Sequence, residues 1–313
     1  MALRVRQIRL EAEDICSYEL VDPKGERLPE FKAGAHIDVH LPGGVVRSYS
    51  LAGCPGDRTR YVVAVQREEH GRGGSKWFHD QLRVGERLQA SVPKNDFGLV
   101  ETAEDTIFIA GGIGITPILS MIRRLDVLGK RWALHYATRS HAVTAYTAEL
   151  NALDNGRGRV QHVIGDARTE RLNIRRIISA APQNAHFYCC GSARMIDDFI
   201  AAGETRNRDH IHYERFTAAS EAATAGGFEV VLARSGRRVP VAVGQTMLDA
   251  LLDAHVQVPY ACSSGICGTC LTPVVQGTPD HRDDFLGEDE KKTGKSIIVC
   301  CSGSLSPELV LDL

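Results

Sequence analysis

Three cysteines crowd into nine residues near the C-terminal end of the chain, and a fourth follows thirty residues later. They are Cys262, Cys267, Cys270 and Cys300. This C-x4-C-x2-C…C spacing is that of a plant-type [2Fe–2S] cluster, in which four thiolates hold two irons. Gly265 and Gly268 suit a loop that wraps a cluster, because glycine readily adopts positive φ. The pattern therefore predicts one-electron chemistry.

A zinc site and a set of buried thiols are the alternative interpretations of this motif. Structural zinc usually takes paired C-x2-C knuckles, and buried thiols have no reason to crowd three into nine residues. Cys301 adjoins Cys300 and is the one rival for the fourth ligand. We expect Cys16, Cys54 and Cys189 to be structural.

A glycine-rich segment, Gly111-Gly-Ile-Gly-Ile-Thr-Pro117, follows the apolar run Thr106–Ala110 and opens a helical pattern over Pro117–Gly129. Glycines there let the backbone approach a pyrophosphate, and a helix N-terminus supplies free N–H groups and a favourable dipole. A plain tight turn is the alternative. The spacing is not G-x-G-x-x-G, which disfavours an ordinary Rossmann dehydrogenase. The segment predicts dinucleotide binding.

The segment Arg47-Ser-Tyr-Ser-Leu51 ends a predicted strand. Arg47 could pair with a phosphate, and Tyr49 could pack on a flat ring whose polar edge bonds to Ser50. A surface strand with one Arg and one Tyr is the alternative.

A second glycine-rich segment, Gly71-Arg-Gly-Gly-Ser75, leads into the helical pattern Lys76–Gln81. This is another candidate anion site at a helix start. Ser75 is a natural N-cap or phosphate ligand. A solvated loop is the alternative.

Cys190-Gly191-Ser192 follows the predicted strand Ala185–Cys189 and precedes the predicted helix Met195–Ala202. A thiol at the C-terminal end of a parallel strand lies on the face where open α/β sheets bind ligands. A small buried hydrophobe is the alternative reading of Cys190. The segment His212-Tyr-Glu-Arg-Phe216 closes this part of the chain.

Three kinds of element must position these motifs. Residues 1–102 alternate short apolar runs with turn signals, which predicts an antiparallel β-barrel. Residues 103–218 alternate buried strands with helices, which predicts a doubly wound parallel α/β sheet. Small residues over 219–227 predict a linker. Residues 228–313 begin with a hairpin that turns at Ser235-Gly236, and a short helix over Met247–His255 precedes the cysteines.

The composition is that of an ordinary globular protein, with 43% hydrophobic and 24% charged residues. A net charge of −2 gives no indication of nucleic acid or an anionic membrane as partner. The N-terminal segment lacks a signal peptide's apolar core, and no apolar run has the length of a membrane span. Nine cysteines without an export signal favour a reducing compartment. We therefore expect a cytoplasmic protein.

Taken together, six segments resemble the FMN-containing reductases of the phthalate dioxygenase reductase and vanillate demethylase reductase type. They are RSYSL, GRGGS, GGIGITP, CGS, YERF and CSSGICGTC. The resemblance covers essentially the whole chain. Related FAD reductases of benzoate and toluate systems carry the ferredoxin module at the N-terminus, so its C-terminal place here favours FMN. The resemblance implies a flavin barrel, an NAD-binding domain, an α+β (β-grasp) ferredoxin domain and a monomer.

The resemblance also implies roles at matching positions. FMN would be bound by Arg47, Ser48, Tyr49 and Ser50, with its phosphate side held by Gly73, Gly74 and Ser75. NADH would be bound by Gly111, Gly112, Gly114, Thr116, Pro117, Cys190 and Gly191. Hydride transfer would be aligned by Thr116 and Cys190, with Glu214 and Phe216 near the flavin face. Iron would be ligated by Cys262, Cys267, Cys270 and Cys300.

Two positions depart from the family pattern. The family often has Pro where this chain has Ser192, and it usually has Arg where this chain has Gly303. The first departure concerns the nicotinamide pocket. The second concerns packing around the cluster or its docking surface.

The resemblance implies a reductase component that takes a hydride from NADH onto FMN. It then passes single electrons through the cluster to a Rieske-type terminal oxygenase. The same reductase serving a P450 or a separate ferredoxin is one alternative, and a non-catalytic iron–sulfur carrier is another. Arg139 could meet the 2′-phosphate of NADPH, whereas the family uses NADH.

Overall fold

The computed structural model describes residues 1–69, 73–165, 172–216, 221–260 and 262–313. The chain divides into two compact units, Met1–Arg215 and Phe216–Leu313. The first unit contains two separate sheets, and the second contains the cysteine motif.

Six antiparallel strands form the first sheet. In chain order they are β1 (Ala2–Ala12), β2 (Ile15–Val21), β3 (His36–His40), β4 (Val46–Ser50), β5 (Tyr61–Gln66) and β6 (Arg87–Ala90). Their spatial order is β4-β3-β6-β1-β2-β5. A bridge between Leu51 and Val63 joins the two outer strands, so the sheet curves into the predicted barrel. Helix α1 (Gly74–Asp80) contributes Phe78 to the barrel core.

Five parallel strands form the second sheet, in the order β11-β10-β7-β8-β9. They are β7 (Asp105–Gly111), β8 (Arg131–Thr138), β9 (Val160–Ile164), β10 (His186–Cys190) and β11 (Ile211–Glu214). The helices between them are α2 (Ile115–Val127), α3 (Thr147–Asp154), α4 (Ile174–Ala180) and α5 (Ala193–Gly203). The strand order reverses between β7 and β10, and such a switch point opens a ligand crevice at the carboxyl ends of the two strands. Gly111 and Cys190 lie at those ends.

The second unit is a mixed sheet packed with one buried helix. Its strands are β12 (Phe228–Leu232), β13 (Arg238–Val241), β14 (Leu271–Gln276), β15 (Pro279–Asp280), β16 (Ser296–Ile298), β17 (Gly303–Ser304) and β18 (Glu308–Leu311). Its helices are α6 (Met247–Asp253) and α7 (Glu288–Thr293). The main sheet has the order β13-β12-β18-β14-β16, and β12 runs parallel to β18. Thr246 and Asp249 form a capping box at the start of α6, which fixes where that helix begins.

The predicted hairpin is confirmed, since Phe228 pairs with Val241 across β12 and β13. The helix predicted over Lys76–Gln81 begins earlier, at Gly74, and its N-cap is Gly73. The N-cap alternative for Ser75 is therefore wrong, because Ser75 already lies inside the first turn. The predicted boundaries at 102 and 218 and the linker stay predictions, and residues 219 and 220 of that linker lie outside the described part of the chain.

Candidate functional site

Arg47 and Tyr49 lie on the same face of β4, because successive side chains of a strand alternate. The Tyr49 ring packs edge-on against Phe78 of α1, with ring centres 4.8 Å apart. A Cβ on Gly74 would stand 2.9 Å from Cγ of Arg47. The two predicted FMN motifs therefore meet at the start of α1, where a guanidinium and first-turn N–H groups suit a phosphate. Gly71 and Arg72 of the second motif lie outside the described residues.

The serines of these motifs have partners within the protein. The hydroxyl of Ser48, on the opposite face of β4, donates to Asp38 at 2.6 Å. Burial opposes ionisation of Asp38, but hydrogen bonds from Lys94 and Ser48 hold the pKa of this carboxyl below its usual value. The hydroxyl of Ser75 accepts a backbone N–H at 3.0 Å. The roles of Ser48, Ser50 and Ser75 toward FMN stay predictions.

The two motifs predicted to bind NADH touch each other at the switch point. A Cβ on Gly114 would stand 2.2 Å from the carbonyl oxygen of Cys190, and one on Gly191 would stand 2.6 Å from Sδ of Met195. A Cβ on Gly111 would also meet Met195, at 2.9 Å. Position 114 requires glycine because the backbone of Cys190 approaches it closely, whereas a side chain at position 111 or 191 would first meet the flexible end of Met195. Met195 is not among the predicted site residues, because its only sequence signal is its place in the first turn after the CGS motif.

The turn into α2 holds the remaining residues of the first motif. Gly112 has φ 52° and open space where a Cβ would be. The hydroxyl of Thr116 donates to the carbonyl of Ile113 at 2.9 Å, so it stabilises the turn. Pro117 lies in the first turn of α2, where its missing N–H is tolerated. Ser192, the first departure from the family pattern, caps α5 by accepting the N–H of Met195 at 3.4 Å.

Cys190 and Glu214 are register partners at the ends of β10 and β11. Burial, and then the neighbouring Glu214 carboxyl, raise the pKa of the Cys190 thiol. Burial, reinforced by Asp96, raises the pKa of Glu214 to about 8. One oxygen of Glu214, Oε2, is buried and has no hydrogen-bond partner among the described residues. At neutral pH the pair is therefore a neutral thiol beside a protonated acid. Phe216, the first residue of the second unit, is half-buried, and its role stays a prediction.

The cysteine loop of the second unit has the backbone shape that its glycines predict. Gly265 and Gly268 have φ of 78° and 69°. The thiol of Cys267 donates to the hydroxyl of Thr269 at 3.3 Å. The backbone N–H of Ser264 donates to Sγ of Cys262 at 3.4 Å. Such N–H donation to sulfur suits iron-bound thiolates, whose charge it stabilises.

Cys270 and Cys300 are both buried, as is Cys301 beside them. Sγ of Cys301 lies 3.8 Å from the carbonyl oxygen of Ile298 and 3.8 Å from the hydroxyl of Ser302. Among the described residues, no group of three or more His, Cys, Asp or Glu side chains is arranged to hold a metal ion. The four predicted ligands are all thiols, and three of them lie on the glycine-containing loop, so the donor set fits a [2Fe–2S] cluster, whose four ligands are cysteines. The choice of Cys300 over Cys301 stays a prediction.

Two further residues of the second unit lie against this site. A Cβ on Gly268 would stand 2.2 Å from the ring of Phe285, which is 45% exposed. Phe285 is not among the predicted site residues, because no local sequence signal connects it to the cysteine loop. Gly303, the second departure from the family, leaves room for Ala223, whose Cβ would be 2.8 Å from a Cβ at position 303. An Arg there would require Ala223 to move.

Comparison with known proteins covers all three predicted modules. Residues 108–200 match the oxidoreductase NAD-binding domain, and residues 230–303 match the 2Fe-2S iron-sulfur cluster binding domain. The chain is 46% identical over 314 residues to the phenoxybenzoate dioxygenase subunit beta of Ectopseudomonas oleovorans, covering 100% of this chain and 97% of the relative. The solved structure of phthalate dioxygenase reductase matches with a TM-score of 0.85 at 39% identity, covering 100% of this chain and 98% of that one. A self-sufficient type IV cytochrome P450 monooxygenase matches with a TM-score of 0.75 at 37% identity, and this chain covers 41% of it.

The fold, the glycine-rich segments at the starts of α1 and α2, and the cysteine loop define a flavin-dependent, NAD-binding iron–sulfur oxidoreductase. Within that class, the chain belongs to the phthalate dioxygenase reductase family. Its cofactors are FMN, NADH and a [2Fe–2S] cluster, as predicted. In the parts of the chain that the structure describes, every helix is too short or too polar to cross a membrane.

Proposed function

We propose that this protein is the reductase component of a two-component Rieske-type oxygenase or demethylase. The observation that carries the proposal is that four of the predicted motifs contact one another in two pairs within the first unit. Gly74 packs against Arg47, and Gly114 packs against Cys190. The full-length similarity to dioxygenase components supports an oxygenase as the electron acceptor.

The bound cofactors would supply the redox chemistry, with FMN as hydride acceptor and the iron–sulfur cluster as one-electron carrier. The protein supplies binding and alignment. Arg47 and the first turn of α1 would hold the FMN phosphate, and the Tyr49 ring, which packs against Phe78, would lie against the flavin. Cys190 is fully buried with a raised pKa, so it positions the nicotinamide rather than reacting as a thiolate.

The direction of electron flow follows from cluster potentials. Plant-type clusters lie near about −400 mV, whereas Rieske centres lie between roughly −150 and +300 mV. Transfer from this protein to a Rieske centre is therefore downhill. We also propose that the protein is a monomer that binds its electron acceptor transiently.

A P450 acceptor is the second candidate, because a P450 monooxygenase contains a segment similar to this whole chain. The same reductase would then serve a haem instead of a Rieske centre. The two candidates share every step up to the cluster.

An anaerobic NADH titration of the purified protein tests the first half of the proposal. We expect bleaching of both flavin and iron–sulfur bands, release of FMN on denaturation and uptake of about three electrons, two by flavin and one by the cluster. Absence of flavin would refute the reductase function. Flavin bleaching without cluster reduction would refute electron transfer to the ferredoxin unit.

Stopped-flow mixing of the reduced protein with an oxidised Rieske oxygenase and, separately, with a bacterial P450 tests the acceptor. Faster oxidation by the Rieske protein supports the proposal, and the reverse order supports the second candidate. Comparison of kcat/KM for NADH and NADPH tests the predicted preference for NADH.

A further inference from the structure

A short segment, His281–Leu286, connects the two parts of the cysteine motif within the second unit. The N–H of Asp284 donates to the carbonyl of Gly265 in the cysteine loop at 3.1 Å. The hydroxyl of Ser302, two residues beyond Cys300, donates to Oδ1 of Asp283 at 3.3 Å. The segment therefore touches both the loop and the chain around the distal cysteine.

The Asp283 side chain is completely buried. Its Oδ2 accepts the N–H of Leu286 at 2.8 Å. Nδ1 of His281 stands 3.5 Å from Oδ1, which is longer than a good hydrogen bond. A carboxylate removed from water in this way acts on its surroundings through a low local dielectric.

The neighbouring cations are directed elsewhere. Arg282 forms an ion pair with Asp280 at 2.9 Å, on the outer side of the segment. Lys291 of α7 donates to the backbone carbonyl of Asp283 at 2.7 Å and not to its carboxylate. The negative charge of Asp283 is thus held inside the unit by backbone and hydroxyl donors.

The Ser302 hydroxyl links this carboxylate to the cysteine pair at the end of the motif. Oγ of Ser302, which bonds to Asp283, stands 3.8 Å from Sγ of Cys301. Cys301 is the direct chain neighbour of Cys300, the predicted fourth iron ligand. Net charge, hydrogen bonds and solvent exposure around an iron–sulfur cluster set its reduction potential.

We infer that the buried carboxylate of Asp283, which Ser302 orients, lowers the reduction potential of the iron–sulfur cluster. An electron arriving at the cluster adds negative charge near a buried carboxylate, so reduction becomes less favourable. The inference rests on the proposed assignment of Cys300 as an iron ligand. A low potential increases the driving force for electron transfer to the acceptor.

A redox titration of the intact holoprotein, followed by the electron paramagnetic resonance signal of the reduced cluster, tests the inference. Asp283→Asn removes the charge and keeps an oxygen that can accept the N–H of Leu286. We expect the ratio of reduced to oxidised cluster at a fixed potential to rise about ten-fold, which equals about 59 mV for one electron. Asp280→Asn, which removes the partly exposed carboxylate that pairs with Arg282 just before the segment, is the matched control and should change the ratio less than two-fold.

Every result for the variants supports or contradicts the inference. An Asp283→Asn variant that keeps its iron and its wild-type potential contradicts the inference, and one that loses its iron shows a structural role instead. Ser302→Ala, which frees the carboxylate, should raise the potential less than Asp283→Asn does. The effect of Asp283→Asn should persist in 1 M salt, because a buried charge is poorly screened. Absence of the reduced-cluster signal from the wild-type protein would refute the proposed function rather than the role of Asp283.

Discussion

The side chain of Arg47 lies against the α-carbon of Gly74, although the two residues come from different motifs. A methyl group at position 74 would collide with Arg47 and with Leu41. We expect Gly74→Ala to displace the guanidinium and to weaken FMN binding at least five-fold, since overpacking costs about 1–3 kcal/mol. The FMN content of the purified variant and its affinity for added FMN measure this. Gly56→Ala, at a glycine with open space around it, is the control, and equal FMN content in both variants would contradict the prediction.

Gly268 and Gly236 form a second matched pair, because both have φ 69°. A Cβ on Gly268 would strike the Phe285 ring, whereas one on Gly236 would meet open space. We expect Gly268→Ala to lose most of its iron and sulfide, and Gly236→Ala to keep them at the cost of the strained backbone alone, about 1 kcal/mol. Iron and sulfide analysis with the visible spectrum checks this. Equal loss of iron from both variants would show that the positive φ, and not the collision with the Phe285 ring, causes the loss.

Cys300 and Cys301 can be separated by substitution. Cys300→Ser removes a predicted iron ligand, so we expect a lost or spectrally shifted cluster. Cys301→Ser should keep the [2Fe–2S] spectrum, because it changes a buried neighbour only. The opposite pattern would make Cys301 the fourth ligand.

Cys190 is predicted to align the nicotinamide. Cys190→Ser keeps the size of the buried group but changes its polarity, and we expect flavin reduction by NADH to slow about ten-fold or more, because small misplacements of reacting groups are costly. Iron content should not change. Single-turnover stopped-flow absorbance gives the rate, and a wild-type rate would rule out the alignment role.

The raised pKa of Glu214 predicts a pH dependence of stability. The carboxyl ionises near 4.5 when unfolded and at about 8 when folded, so the folded protein binds the extra proton between these values. Stability should therefore fall as pH rises from about 4.5 to about 8, by about 1.4 kcal/mol for each pKa unit of difference.

Glu214→Gln should remove most of this slope and should be more stable than the wild type at pH 8. Thermal unfolding midpoints of the first unit, followed by flavin release between pH 5 and 9, measure it. Glu204→Gln changes an exposed carboxyl at the end of α5 and should leave the slope unchanged. A Glu214→Gln profile parallel to that of the wild type would contradict the raised pKa.

The sequence predicted the motifs and most of the element types, because cysteine spacing, glycine-rich turns and apolar periodicity are local signals. The strand before Gly111 and the hairpin at Gly236 follow from such signals and are confirmed. Contacts between residues that are distant in the sequence do not follow from local signals. Phe285 lies fifteen positions beyond Cys270, and only the folded second unit brings its ring over Gly268.

The start of α1 shows how a local signal can mislead. Ser75 has the side chain of an N-cap, but Gly73 adopts a left-handed conformation that starts the helix two residues earlier. The sequence alone also does not explain why position 303 is glycine. The structure shows that Ala223 occupies the space that a longer side chain would take.

The parallel pairing of β12 with β18 has a consequence for biosynthesis. The strand that opens the second unit has as its neighbour the strand at Glu308–Leu311, and all four predicted iron ligands are translated between the two. On the ribosome, the sheet that supports the cysteine loop stays incomplete until that last strand has emerged. We therefore expect iron and sulfide to be inserted after synthesis of the ferredoxin unit is finished, whereas the barrel and the parallel sheet do not need that strand to form.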